Sequence, residues 1–208
     1  MEVSIMNKKF AVGCGVVIGV VVLVVIIFVL YGTRAYNNMV QMDEGVKEKW
    51  SQVENVYQRR LDLIPNLVET VKGYAAHERE TFQAVTEARA KAGGMINIGA
   101  DVLKNPEMFQ QYQQAQASLS SALSRLMVVV ERYPELKANQ NFLSLQDQLE
   151  GTENRITVER QRFNEAARGF NTYIKQFPRV ILARMFGFNE KPYFKAQEGA
   201  ETAPKVKF

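Results

Sequence analysis

The chain contains one histidine, His77, and it precedes Glu78, the opening pair of a zinc-protease helix motif. That motif needs a second histidine one helical turn on, so that two imidazoles face one metal ion. Position 81 is Thr81 and no other histidine exists, so a zinc site built from histidines is excluded and His77 reads as a helix-rim residue. Asp62, Glu69, Glu78, Glu153, Glu159 and Glu165 raise a different chemistry, a metal pair held between inward carboxylates of a helical bundle. It takes a Glu-x-x-His pair from each of two helices, and the chain has none. Glu78 and Glu159 still fall on apolar seams, where a buried charge requires a partner. Arg59, Arg60, Arg155 and Arg162 are the nearest cations by position. Glu78, Glu159, Arg155 and Arg162 are therefore expected to form a core polar layer that sets helix register at some cost in stability.

Nucleophiles fare no better. Ser118, Ser120, Ser121 and Ser124 crowd one helix but have no base at a predictable distance. Cys14 is the single cysteine, so no intramolecular disulfide forms. Gly93-Gly94 follows a helix instead of a strand, so no phosphate-cradling loop is present. No catalytic residue, no metal, no other cofactor and no small-molecule substrate is expected. Basic and acidic residues nearly balance, at a net charge of +4 spread along 208 residues, which also argues against a nucleic-acid partner.

The elements that position these residues begin with the run from Phe10 to Gly32, FAVGCGVVIGVVVLVVIIFVLYG, which carries no charge. At ~1.5 Å per residue it crosses a ~30 Å hydrocarbon core as one helix. The apolar stretch follows Cys14 where a lipoprotein signal needs it before, and it is longer than a cleaved signal's core of ~7–15 residues. A retained anchor over 10–32 follows, with a short flank over 1–9. Lys8 and Lys9 before the run, against Arg34 after it, place the N-terminus in the cytoplasm and the rest on the exported side. Gly15 and Gly19 make a small-xxx-small strip on which two anchor helices pack closely.

Beyond the anchor the apolar period is helical throughout. One seam runs Val46, Trp50, Val53, Tyr57, Leu61, Ile64, Val68, Val71, Ala75, Glu78, Phe82, Val85. Pro65 interrupts the backbone ladder without breaking that phase, so either a kinked continuous helix or a hairpin at Leu63-Ile64-Pro65-Asn66 is open, the phase favouring the kink. Gly93-Gly94 then ends the segment, with a connecting loop to Lys104. A second helix starts at Pro106 behind the cap Asn105, with Phe109, Tyr112, Gln116, Leu119, Leu123, Leu126 and Val130 inward. A third keeps a heptad seam from Phe142 through Leu149, Ile156, Phe163 and Phe170 to Phe177. A short amphipathic segment, 179–186, follows, whose Met185 and Phe186, with Phe188 beyond it, are expected to fold back on the bundle. Long helices and short links predict an all-α fold: one transmembrane helix, then an antiparallel up-and-down bundle of three to four long helices over 33–186. From Gly187 to the end, 187–208, mixed charge with Gly and Pro predicts a flexible tail. Val206 and Phe208, at its end, alternate as a docking strand for a partner's sheet edge would.

Several blocks carry a family likeness. Trp50-Ser51-Gln52-Val53, Arg59-Arg60-Leu61-Asp62-Leu63-Ile64-Pro65-Asn66-Leu67-Val68, Val71-Lys72-Gly73-Tyr74-Ala75-Ala76-His77-Glu78, Tyr133-Pro134-Glu135-Leu136 and Leu149-Glu150-Gly151-Thr152-Glu153-Asn154-Arg155-Ile156 resemble the LemA family of bacterial membrane-anchored proteins. The resemblance implies one N-terminal transmembrane helix, a soluble bundle described as four helices, and a role in membrane organisation with no established enzymatic activity. Four helices weigh against a first helix that runs unbroken to Lys91. The function expected is a membrane-tethered, non-enzymatic scaffold or adaptor in the inner membrane, with the bilayer, envelope proteins and further copies of itself as partners. The alternative is a carboxylate-based metal binder or enzyme.

Overall fold

The structure is a computed structural model that describes the backbone of residues 2–195, with side-chain surroundings for Gly15 and for 18–195. The first helix, α1 (Glu2–Lys72), carries the apolar run straight into the bundle without a break. Then come α2 (Arg79–Ile96), a 3-10 turn (Gly99–Lys104), α3 (Pro106–Val130), the single turn α4 (Pro134–Lys137), α5 (Gln140–Lys175) and α6 (Arg179–Met185). No strand occurs among the described residues. The bundle proper is four-stranded: the second half of α1, then α2, α3 and α5, running away from, toward, away from and toward the apolar end. Within it α1 packs chiefly on α5, and α2 on α3.

Both readings of Pro65 are resolved by the same carbonyl. Proline lacks the N–H that would bond Leu61 O, so that oxygen is orphaned inside the helix. Arg89, on α2, donates its Nε to Leu61 O at 2.9 Å. The helix therefore runs through Pro65, and the substitute donor ties α2 to α1. The reversal lies later, at Gly73–Glu78, where Gly73 weakens the helix and Ala75, only 1% exposed, plugs the turn. The seam expected to continue to Val85 is thus split between two helices, although Ala75, Phe82 and Val85 are buried as the period requires. Gly93 and Gly94 sit inside α2, not beyond it. This break at Gly73–Glu78 supplies the fourth helix.

Asn105 caps α3 by accepting from Glu107 N at 2.8 Å, with Pro106 at the first helical position. Asn139 caps α5 through Phe142 N at 3.0 Å. The interior divides in two. An outer cluster gathers around Leu61, Ile64, Leu119, Leu126 and Phe142; a cluster nearer the apolar end gathers around Trp50, Phe109, Phe163 and Phe170. Phe177, expected at the end of the α5 seam, is 82% exposed. The seam leaves it because α5 stops at Lys175 and Gln176 is already extended.

The bundle also extends past its expected limit at 186. Residues 188–195 dock along α5 instead of starting a free tail. Asn171 Nδ2 donates to Lys191 O and its Oδ1 accepts from Lys191 N, both at 2.8 Å. Asn164 repeats this with Phe194, both bonds at 2.9 Å. Seven residues of helix span ~10.5 Å, and three residues of extended chain span ~10 Å. The two asparagines therefore match the strap's own spacing, and each replaces a strand partner for its backbone. Phe194 (6% exposed) is thereby lowered against Trp50, and Lys191 meets Asp43 of α1 at 2.6 Å. Val206 and Phe208 lie outside the described residues.

Candidate functional site

A polar layer crosses the bundle where the two apolar clusters meet. On α1 the residues are Trp50, Glu54, Tyr57 and Arg60, at steps of four and three that keep one face. On α3 they are Tyr112, Gln116 and Ser120; α5 contributes Glu153. Arg60 is 1% exposed. Its Nη1 donates to Glu153 Oε1 at 2.7 Å and to Ser120 Oγ at 3.1 Å, its Nη2 to Gln116 Oε1, and its guanidinium lies 5.0 Å from the Tyr57 ring centre. One cation thus links three helices. Trp50 fills the floor beneath it, with ring centres of Tyr112 at 5.0 Å, Phe163 at 5.5 Å and Phe109 at 5.8 Å.

The layer is only partly satisfied. Trp50 Nε1, Glu54 Oε1, Arg60 Nε, Tyr112 Oη and Gln116 Nε2 are buried without a hydrogen-bond partner among the protein's own groups. Burial pushes Glu54 above its ordinary 4.5. Burial likewise raises Tyr57, against the pull of the Arg160 and Arg60 cations, and raises Tyr112. An acid whose pKa is raised by folding is a liability only when ionised: below the unfolded value it is neutral in both states, and above the folded value the penalty is complete. Glu54→Gln is therefore expected to raise the melting temperature at neutral pH, with the gain disappearing as pH falls below about 4.5. Melting curves of both proteins across that range check this; a gain independent of pH would show that packing, not charge, is responsible.

Chemically the layer holds position more than it offers reactivity. Ser120 Oγ donates to Gln116 O at 3.2 Å while accepting from Arg60, so its proton and a lone pair are both engaged. His77 is exposed in the turn before α2, far along the chain from every serine of α3. No three His, Cys, Asp or Glu side chains converge as a metal site would among the described residues. A groove of about 470 Å³ opens over the layer between α3 and α5, lined by Ser120, Ser124, Met127, Gln146, Glu150 and Glu153 among others.

The layer expected from the sequence is not the one that forms. Glu78 pairs with Arg132 at 2.9 Å in the far turn. Glu159 pairs with Arg162, one turn along its own helix, at 2.7 Å, with Arg162 60% exposed. Arg155 is exposed. Each glutamate is half-buried at the bundle's edge, because a carboxylate there reaches an arginine that stays in water. Of the four arginines weighed as partners, Arg60 alone is buried. The signal was its position, three after Tyr57 and four before Ile64, within the α1 seam and level with Gln116 in the α3 seam. Glu153 carried the same signal, four after Leu149 and three before Ile156 in the α5 seam, but nothing in the spacing paired it with Arg60. Gly15 and Gly19 lie on α1 with no other atom near where a Cβ would stand.

The model of the LemA family matches residues 49–208, most of the chain and every member of the polar layer. The chain belongs to the LemA family. Its relatives include the magnetosome protein MamQ 2 of Paramagnetospirillum magneticum, 28% identical over 200 residues, covering 87% of this chain and 72% of that protein. MamQ of Magnetospirillum gryphiswaldense is 28% identical over 196 residues, with the same coverage of both chains. Protein LemA of Metamycoplasma hominis is 23% identical over 171 residues, covering 82% of this chain and 73% of its own. For this LemA-family chain the matched segment contains the whole bundle after the first turns of its α1 portion, together with α6 and the strap. The apolar run of α1 precedes it.

Proposed function

We propose that this protein is a membrane-tethered, non-enzymatic scaffold that holds envelope or membrane proteins at a set distance from the bilayer through its helical surfaces. One observation carries the reading: α1 passes without a hinge from a segment long and apolar enough to span a membrane into the centre of the bundle. A helix has no soft joint of its own, so the bundle stands on its anchor as a rigid post. Family membership supports the same reading, and neither MamQ nor LemA is named for a reaction. We place it in the bacterial inner membrane with the bundle on the exported side, following the lysines before the span. Gly15 and Gly19 provide a smooth strip for a second anchor helix.

The test uses the full chain in its native host. A photo-crosslinking residue is placed in turn at Ser124 in the α3–α5 groove, Gln83 on α2 and Val158 on α5. The uncleaved protein is expected to resist alkaline extraction of membranes and to give discrete adducts with other protein chains from at least one of these faces. Recovery in the soluble fraction, or a membrane-held chain with no protein adduct from any face, would overturn the reading. No observation favours the carboxylate alternative: Glu78 is paired with Arg132 and Glu159 with Arg162.

A further inference from the structure

The apolar face of α6 has no partner in the fold. Ile181 and Met185, four residues apart on α6, share one face at 54% and 71% exposure, and Phe177, in the turn before α6, is 82% exposed. The opposite face is the one that packs: Ala183 is buried and Leu182 lies against the lower core. Large apolar groups clustered in this way mark a contact surface.

The position of α6 along α1 says what covers that face. Phe186, directly after α6, meets Tyr36 edge-on at 4.8 Å, and Phe188 meets it at 5.9 Å. Tyr36 is four residues beyond Gly32, the end of the apolar run, a rise of ~6 Å. Headgroups add ~5–7 Å to each side of the hydrocarbon core. With α1 spanning the bilayer, the foot of the bundle and α6 with it therefore stand at headgroup depth. Cations lie on the elements that carry the patch: Arg34 just past the span, Arg179 and Arg184 within α6, the latter lining the same groove as Ile181 and Met185, and Lys175 at the end of α5, which meets Glu190 at 2.6 Å. Apolar side chains flanked by long basic ones are the composition of a helix lying in an anionic lipid surface.

The geometry points to α6 as a second membrane contact, an interfacial foot whose Ile181 and Met185, with Phe177 from the turn before it, enter the lipid surface beside the anchor. Its occupant is the bilayer that holds α1, because any protein seated there would first have to displace lipid. The inference rests on the anchoring reading of α1. It adds a point of support away from the α1 axis, which stops the post from tilting and sets which bundle faces look along the membrane.

Depth-resolved quenching tests it on the full chain in vesicles of phosphatidylethanolamine and phosphatidylglycerol. In a Cys14→Ala background, single cysteines carrying an environment-sensitive fluorophore replace Ile181, Met185, Leu143 at the far end of the bundle, or Leu23 within the span. Probes from Ile181→Cys and Met185→Cys are expected to shift to the blue, to lose emission to lipids with a nitroxide near the headgroup, and to be shielded from aqueous iodide. The Leu143→Cys probe is expected to respond to iodide alone. Iodide quenching at 181 and 185 equal to that at 143 would overturn the foot. So would shielding from iodide without nitroxide quenching, which would place a protein on the patch. The Leu23→Cys probe reports the anchor separately: if lipids with a deep nitroxide leave it unaffected, α1 does not span, whatever α6 does.

Discussion

Glu153→Ala is expected to destabilise the bundle by about 3 kcal/mol, more than Arg60→Met, although Glu153 is the more exposed member of the pair. Its side chain is 43% exposed and that of Arg60 2%. Removing the carboxylate leaves a guanidinium that cannot lose its proton in a site with only neutral acceptors, Gln116 and Ser120. Water at the α3–α5 groove moderates the cost toward the lower end of what breaking a buried pair takes. Arg60→Met has the opposite geometry. Glu153 turns into the groove and is hydrated, and the loss is confined to the unpaired Gln116 acceptor, worth about 1–2 kcal/mol. For a domain of this size about 3 kcal/mol corresponds to roughly 6–12 °C in melting temperature. Thermal unfolding of the full chain in detergent, followed by circular dichroism, ranks the two variants. A larger loss for Arg60→Met would mean that packing of the long side chain, and not its charge, governs the layer.

Phe194→Ala is expected to cost about 3–5 kcal/mol, the range for emptying a buried aromatic site. The ring touches Phe109 at 4.9 Å and Phe163 at 5.5 Å between centres, with the Arg160 guanidinium 4.6 Å from it on the outer side. Its loss opens a cavity beside Trp50, and it also removes the apolar reason for the strap to lie down. Limited trypsin digestion of the folded variant is therefore expected to cut after Lys191 and Lys195 faster than in the parent. The Asn164 and Asn171 clamps alone would not prevent this, since hydrogen bonds exposed by local opening exchange readily for water. Faster cleavage without a fall in melting temperature would show that the strap opens as an independent unit and lends the core nothing.

These two variants mark where reading along the chain succeeded and where it stopped. Trp50, Val53, Tyr57, Leu61 and Ile64 are buried as their spacing requires, as are Phe109 through Val130 on α3, because a helical period is written into neighbouring residues and needs no partner to be seen. The caps Asn105 and Asn139 act within three residues of themselves, and the first was legible for the same reason. The hairpin was not. Its position depended on Arg89 reaching back 28 residues to Leu61 O, a bond that lets the helix pass Pro65 and puts the reversal at Gly73–Glu78. The strap was hidden too: Asn164 and Asn171 look like ordinary polar residues of a long helix until residues 191 and 194 are laid beside them.

What the residues determined alone was therefore the material of the protein: an uncharged membrane-length run, helices with one apolar face each, the absence of a histidine-based metal site, and the family. The tertiary structure decided which faces meet. It chose Arg60 with Glu153, 93 residues apart, over the layer of Glu78 and Glu159, and it turned Phe177 outward while drawing Phe194 in. The reason is geometric. Periodicity states that a side chain points inward, but its partner depends on the rotation and axial offset of another helix, which only the closed bundle sets.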